Sequence, residues 1–187
     1  MKLNKQVVLS LLALTTLSAL YRLIPGRPLG FAPQIAIAVF GGALFVQNKK
    51  WAFILPLASM FLSDCLFELM FRYGMTHYIG FYSGQITNYL LLTSMTVLGF
   101  YIQRTKIASV AVGLLAAPTA YFVLSNGVVW LNGGGYDRPK TLTGLLACYT
   151  DALPFYGGSL AGTVCFGTLL FVGWHFAKTS ATNNKLA

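Results

Sequence analysis

Residues 33–47 read PQIAIAVFGGALFVQ, an apolar stretch with no charged residue and two adjacent glycines. The stretch follows a proline-rich segment and is shorter than the ~20 residues that a membrane-spanning helix usually needs. A short span of this kind suggests a helix that is surrounded by other helices or that lies beside a cavity. We therefore predict a short helix at 33–47 that is packed inside a bundle or tilted over a cavity.

Five further apolar segments accompany this stretch, and each is near the length of a membrane span. Of the 187 residues, 56% are hydrophobic and only 9% are charged, whereas soluble domains have about 25% charged residues. Continuous apolar runs without period-two alternation favour helices over a β-barrel. The sequence predicts an all-α integral membrane protein with a single domain, residues 1–187. Its six transmembrane helices are predicted at about 5–23, 33–47, 51–70, 84–102, 107–131 and 157–177, and a short interfacial helix at about 140–152.

Basic residues divide unequally between the two sides that six spans define. One side carries 8 of them: Lys2, Lys5, Lys49, Lys50, Arg104, Lys106, Lys178 and Lys185. The other side carries 5: Arg22, Arg27, Arg72, Arg138 and Lys140. Because cytoplasmic loops are enriched in Lys and Arg, we predict that both termini are cytoplasmic in a multi-pass protein of a bacterial inner membrane. The positive net charge is thereby assigned to membrane topology, and no nucleic-acid partner is expected.

The four carboxylates all fall toward the predicted outer side, where the topology rule gives them no role. Asp64 and Glu68 lie one helical turn apart on the third segment and so share one face of a helix. A charged side chain in the membrane centre costs at least about 2.5–3.5 kcal/mol. The pair must therefore face the bundle interior, a wet cavity or a basic partner, and Arg22, Arg27, Arg72 and Arg138 are candidate partners on the same side. Asp64 lies deeper and is the stronger candidate for a ligand-binding residue.

Three other polar residues on the outer side are candidate ligand-binding residues. His77 follows in the loop FRYGMTHYIGFYSG, where an imidazole is either solvated or available to a metal or cofactor. Asn126 and Asp151 stand in largely apolar stretches, and buried amides and carboxylates need partners. Those partners are either neighbouring helices and loops or a bound ligand.

The sequence gives little support for an enzyme. GGSLA at 157–161 fits a loose G-x-S-x-[GA] pattern, which has little weight without a strand–turn–helix setting. Ser159 and His175 lie 16 residues apart on the same predicted helix, or about 24 Å, and cannot form a dyad. His77 remains a conceivable base, so an intramembrane hydrolase is a remote alternative.

Four stretches resemble the substrate-binding S components of energy-coupling factor (ECF) transporters. They are RLIPGRPLGFAPQIAIAVFGGALF, LPLASMFLSD, SNGVVWL and TGLLACYTDALPFYGGSLAG. The resemblance implies a six-helix S-component-like bundle that binds a vitamin-like molecule near its outer face. It also implies a gating loop that includes Arg22, Arg27 and Pro28, and docking of a coupling subunit, with its ATPase subunits, through small residues such as Thr15 and Ala19.

A narrower resemblance is to solitary S components that take up vitamin B12. It implies that Asp64 and Tyr82 contribute to the pocket and that His77 stands at the position of the cobalt ligand, where that family has a cysteine. Imidazole is a reasonable ligand for cobalt, so cobalamin is the favoured transported ligand, and no intrinsic cofactor is expected.

Two classes of function follow from these observations. The first is a membrane transport protein that takes up a small organic ligand at a site comprising Asp64, Glu68, His77, Tyr82, Asn126 and Asp151. The second is a structural or assembly protein of the membrane whose outer carboxylates only pair with arginines.

Overall fold

The computed structural model describes the backbone of residues 5–183 and the side chains of residues 12–178. All regular structure in this part of the chain is helical. The helices are α1 (Lys5–Arg22), α2 (Gln34–Leu44), α3 (Lys49–Arg72), α4 (Gln85–Ser94), α5 (Thr96–Gly99), α6 (Ile107–Leu131) and α7 (Leu142–Asn183). Lys2 and Lys185, two of the basic residues used to predict topology, lie outside the described residues.

Helix α2 forms the centre of the bundle. Every residue from Gln34 to Ala43 is buried, and the helix contacts α3, α4, α5, α6 and α7. Its 11 residues span only about 16 Å, roughly half of the ~30 Å hydrocarbon thickness of a bilayer. The prediction of a short helix packed inside the bundle is confirmed.

Gly42, the second of the two adjacent glycines in α2, lies at a close contact with α5. A Cβ atom on Gly42 would lie 2.2 Å from the Thr96 carbonyl oxygen and 2.9 Å from the Gly99 Cα. No side chain fits in that space, so α2 and α5 touch backbone to backbone. This contact fixes the second half of α2 against the end of the α4–α5 segment.

The helices run alternately in opposite directions, with α4 and α5 together forming one segment. Three loops therefore gather at one end, here called the loop-rich end: 23–33, 73–84 and 132–141. The short connections 45–48 and 100–106 lie at the opposite end. Helix α3, helix α6 and residues Leu142–Lys178 of α7 are long and apolar enough to cross a membrane.

Two predicted segments differ from the observed helices. The span predicted at 84–102 is divided at Met95, where Met95 N–H bonds to Leu92 O and Leu98 N–H to Met95 O in the tighter i to i+3 pattern. The helix predicted at 140–152 is not a separate interfacial element, because α7 runs without interruption for 42 residues. Pro154 lies inside it and does not end it, as is common in membrane helices.

Candidate functional site

Asp64 is the most deeply buried carboxylate among the described residues, with 2% of its surface exposed. Arg22 Nη1 donates to its Oδ1 at 2.8 Å. Gln85 Nε2 and the Tyr89 hydroxyl donate to its Oδ2 at 2.7 and 2.6 Å. Arg22 also donates to the Ser63 hydroxyl. The carboxylate therefore has partners on both oxygens and joins α1, α3 and α4.

Helical periodicity explains how α4 supplies two of these partners. Gln85 and Tyr89 are four residues apart and project from the same face of the helix. Gln85 Nε2 additionally lies 3.0 Å from the Gly80 carbonyl oxygen, which ties loop 73–84 to the same cluster. A buried charge is stable only when it is paired and hydrogen-bonded, and this cluster meets that condition.

Glu68 has a more exposed and more local set of partners. Its Oε1 accepts from Arg72 Nε at 2.9 Å, one helical turn further along α3. Its Oε2 accepts from the Gly80 N–H at 3.3 Å. Glu68 thus anchors loop 73–84 on the end of α3.

The predicted gating loop is packed against α7. Arg27 donates from Nε to the Arg22 carbonyl oxygen at 3.2 Å and from Nη1 to that of Phe31 at 3.3 Å. Burial lowers the pKa of the Arg27 guanidinium, and the nearby positive charge of Arg22 lowers it further. A Cβ atom on Gly158 would lie 1.8 Å from the Leu29 carbonyl oxygen. The loop therefore lies directly on the helix backbone at Gly158.

The loop-rich end contains a partly enclosed cavity of about 560 Å³ between α2, α4, α6 and α7. Aromatic side chains form much of its wall, namely Tyr121, Phe122, Tyr136, Phe155 and Tyr156. The rings of Phe122 and Tyr156 are 4.7 Å apart and inclined by 32°. Such a wall can contact a flat or apolar group of a ligand.

Neutral polar side chains from four helices also line the cavity: Gln34, Asn88, Ser125, Asn126 and Ser159. Asn88 is held from two sides, because its Nδ2 donates to the Tyr82 hydroxyl at 3.0 Å and its Oδ1 accepts from Tyr121. Asn126 Nδ2 donates to the Phe122 carbonyl oxygen at 2.8 Å. Amides and hydroxyls in these positions can donate to and accept from a ligand.

Asp151 lines the cavity while it pairs with Arg138 outside the lining. Arg138 donates from Nε to Oδ2 at 2.8 Å and from Nη2 to Oδ1 at 3.0 Å, a bidentate arrangement. The Asp151 carboxylate raises the pKa of Arg138 through this hydrogen bond and through its charge. Arg138 stands in loop 132–141, so the pair fixes that loop to α7.

The structure divides the residues that the sequence singled out. Arg22, Asn126 and Asp151 line the cavity, whereas the lining does not include Asp64, Glu68, His77, Tyr82, Arg27 or Pro28. His77 is exposed in loop 73–84. Within the described part of the chain, no group of three or more His, Cys, Asp or Glu side chains is placed to hold a metal ion.

Several lining residues were not identified from the sequence, although their spacing carried a signal. On α6, Tyr121 and Ser125 are four residues apart, and Phe122, Asn126 and Val129 follow the same face at intervals of four and three. On α7, the lining positions are Cys148, Asp151, Ala152, Phe155, Tyr156 and Ser159. These intervals describe one face of each helix. Gln34 and Asn88 carried no comparable signal.

The fold and the cavity define a class: an all-helical protein with long apolar helices suited to a membrane and a solute-sized cavity at one end. The chain belongs to DUF6580, a family of unknown function, which it matches over residues 2–185. No curated protein matches it. No solved structure matches it either.

Proposed function

We propose that this protein is a six-span membrane transport protein that binds a small organic ligand in the cavity at its loop-rich end. The observation that carries the proposal is the cavity of about 560 Å³ with aromatic and neutral polar walls. Ligand sites in proteins commonly occupy about 300–1,000 Å³ and combine apolar walls with a few polar groups. Polar groups beside a void are costly in a membrane protein unless water or a ligand contacts them.

The proposed orientation places the loop-rich end outside a bacterial inner membrane and both termini in the cytoplasm. The uneven distribution of basic residues supports it. A tryptophan beside a basic residue lies at each end of the bundle, as is typical of the two membrane–water interfaces. Arg104 lies 4.7 Å from the Trp174 ring at one end, and Lys140 lies 5.2 Å from the Trp130 ring at the other. Ligand capture would then occur from the outside.

We further propose a ligand more compact than cobalamin. A corrinoid is much larger than a typical small-molecule ligand, and a 560 Å³ cavity lies in the middle of the usual range for such ligands. The exposed His77 imidazole is not part of the lining. A cobalamin complex with cobalt bound to His77 would therefore have to form above the cavity, at the surface of loop 73–84.

Powered transport would require coupling and ATPase subunits, as the resemblance to ECF transporters implies. Of the small residues on α1 expected to dock such a subunit, Ala19 is fully buried and packs within this chain. Thr16 and Ala13 are exposed on the same helix. A docking surface on α1 would therefore use its Ala13 and Thr16 side.

A second candidate function is that of a structural or assembly protein. Three of the four carboxylates of the chain form ion pairs with arginines, at N–O distances of 2.8 to 2.9 Å. This pairing is what an outer face without a ligand requires. An intramembrane hydrolase is less favoured, because Ser159 and His175 both lie on α7, about 24 Å apart along its axis.

Thermal unfolding of the detergent-purified protein tests ligand binding. A panel of nucleobases, amino acids and vitamins, with cobalamin and cobinamide included, would be added at high concentration. A ligand at 100 times its Kd stabilises the folded state by about 2.7 kcal/mol, which raises Tm by several degrees. Uptake of the stabilising compound into proteoliposomes then tests transport.

Two tryptophan variants provide the matched comparison. Ser125→Trp fills the cavity and should abolish the rise in Tm, whereas Val112→Trp changes an exposed position on the same helix and should preserve it. Stabilisation that survives Ser125→Trp would place the ligand elsewhere. Failure of every compound to bind would favour the assembly function.

A further inference from the structure

The cavity has two ionic residues among its described lining residues, Arg22 on α1 and Asp151 on α7. Each of them is paired with an opposite charge that lies outside the lining. Arg22 pairs with Asp64 at 2.8 Å, and Asp151 pairs with Arg138 at 2.8 Å. The two pairs therefore contribute no net charge to the cavity.

The geometry of the pairs balances both charges that face the cavity. The carboxylate of Asp64 is held by three donors and keeps Arg22 in place. Both oxygens of Asp151 are occupied by the guanidinium of Arg138. A charged ligand would therefore find no uncompensated opposite charge on the described lining and would leave the cavity with an excess charge.

Arg27, whose charge interacts with that of Arg22, does not change this balance at the cavity wall. Arg27 is absent from the lining and directs its N–H groups at the backbone carbonyls of Arg22 and Phe31. An ion that enters a partly enclosed cavity without a counter-charge loses hydration that neutral amides and hydroxyls replace only in part. A neutral ligand can exchange hydrogen bonds to water for bonds to the amides and hydroxyls of the wall.

We infer that the cavity selects compounds without net charge, with an aromatic or apolar body and hydrogen-bonding edges, and that it excludes anions and cations. This inference rests on the proposed function, because it assigns a ligand class to the same cavity. The two charge pairs set the selectivity, and the Arg138–Asp151 pair is the one that can be altered without touching the buried Asp64 cluster.

Cys148 provides a reporter inside the cavity, where it is one of the lining residues and is 7% exposed. With Cys65 and Cys165 changed to serine, Cys148 is the only thiol in the chain. Its rate of reaction would be measured in full-length protein in nanodiscs with three methanethiosulfonates of similar size. They are the neutral 2-hydroxyethyl reagent, the anionic 2-sulfonatoethyl reagent and the cationic 2-trimethylammonium-ethyl reagent. Each rate is divided by the rate of the same reagent with 2-mercaptoethanol, a thiol with no other charged group.

We expect the normalised rate of the neutral reagent to exceed that of either charged reagent by about tenfold or more, which corresponds to 1.4 kcal/mol. Equal rates, or a preference for one charged reagent, would overturn the inference and leave the proposed function standing. If the neutral reagent also fails to react, the cavity is closed to solutes and both proposals are wrong. Ser125→Trp should slow the neutral reagent, which shows that it enters through the cavity.

Three single variants then test whether the charge pairs cause the selectivity. Arg138→Gln leaves Asp151 unpaired and should accelerate the cationic reagent by about tenfold, whereas Asp151→Asn leaves Arg138 unpaired and should accelerate the anionic one. Arg72→Gln breaks an ion pair outside the cavity and should change neither rate. Unchanged selectivity in both cavity variants would overturn the inference.

Discussion

The pairs Arg22–Asp64 and Arg138–Asp151 have the same N–O distance of 2.8 Å and different surroundings. The Asp64 side chain is 3% exposed and the Asp151 side chain 26% exposed. Asp64 receives hydrogen bonds from three helical side chains, whereas Asp151 relies on one arginine from a loop. In the first pair the carboxylate is sealed between helices and only Arg22 reaches the cavity, whereas in the second the carboxylate itself lines the cavity.

The difference in burial indicates two roles for a carboxylate in an apolar chain: connecting helices, and lining a cavity. Asp64 connects α1, α3 and α4, and both of its oxygens accept hydrogen bonds from side chains within the bundle. Asp151 is near solvent and near the space where we propose that a ligand binds. Ion-pair distance alone therefore does not indicate function, and the remaining neighbours of each carboxylate decide it.

The largest effect should come from breaking the sealed pair. Asp64→Ala leaves the Arg22 guanidinium without its counter-ion, and loss of one partner of a buried pair costs about 3–5 kcal/mol. We expect a correspondingly large loss of unfolding free energy, measured by titration of the protein in mixed micelles with a denaturing detergent.

Glu68→Gln is the matched control, because it removes the exposed pair one turn away on the same helix. Exposed pairs contribute little, so its unfolding transition should stay near that of the original protein. If the two variants are equally stable, the contrast between sealed and exposed carboxylates is wrong.

The double variant Arg22→Ala, Asp64→Ala should recover part of the unfolding free energy that Asp64→Ala loses, since no unpaired charge then remains.

An intermediate effect should come from the contact that holds the loop 23–33 beside the cavity. Gly158→Ala places a Cβ atom 1.8 Å from the Leu29 carbonyl oxygen, and overpacking of this kind costs about 1–3 kcal/mol. Gly157→Ala is the adjacent control, since a Cβ atom there meets nothing within 4 Å. The same detergent titration should show destabilisation only at Gly158. Equal stability of the two variants would mean that loop 23–33 moves away from Gly158 without a loss of unfolding free energy.

The sequence predicted the helical class and most helix positions because they depend on local apolar runs. The bounds predicted for the fifth segment, 107–131, coincide with α6. The predicted break before residue 157 was wrong, because GGSLAG carries glycines that resemble a loop signal. Gly158 is instead a contact for another segment, and only the tertiary structure reveals why a glycine is there.

The candidate site was less accessible to sequence reasoning. The sequence indicated Asp64 as a candidate site residue because it is a rare charged residue on an apolar helix. Arg22 was among its candidate partners. Gln85 and Tyr89, which complete its coordination, are common residues in a polar helix start and carried no signal. The cavity arises where faces of α6 and α7 meet, and a single sequence gives each face but not which faces meet.

The most local effect should come from the polar contact that links loop 73–84 to the cavity. Asn88→Ala removes hydrogen bonds to Tyr82 and Tyr121, each contributing about 0.5–1.5 kcal/mol. Because Tyr82 belongs to the loop, backbone amides of 73–84 should exchange hydrogen faster in the variant, as measured by mass spectrometry. Asn132→Ala, at an exposed position after α6, should leave exchange in that loop unchanged. If exchange is unaltered in Asn88→Ala, the hydrogen bonds around Asp64 and those of Glu68 are sufficient to hold the loop. The order of loop 73–84 beside the cavity would then depend on the buried Asp64 region and not on Asn88.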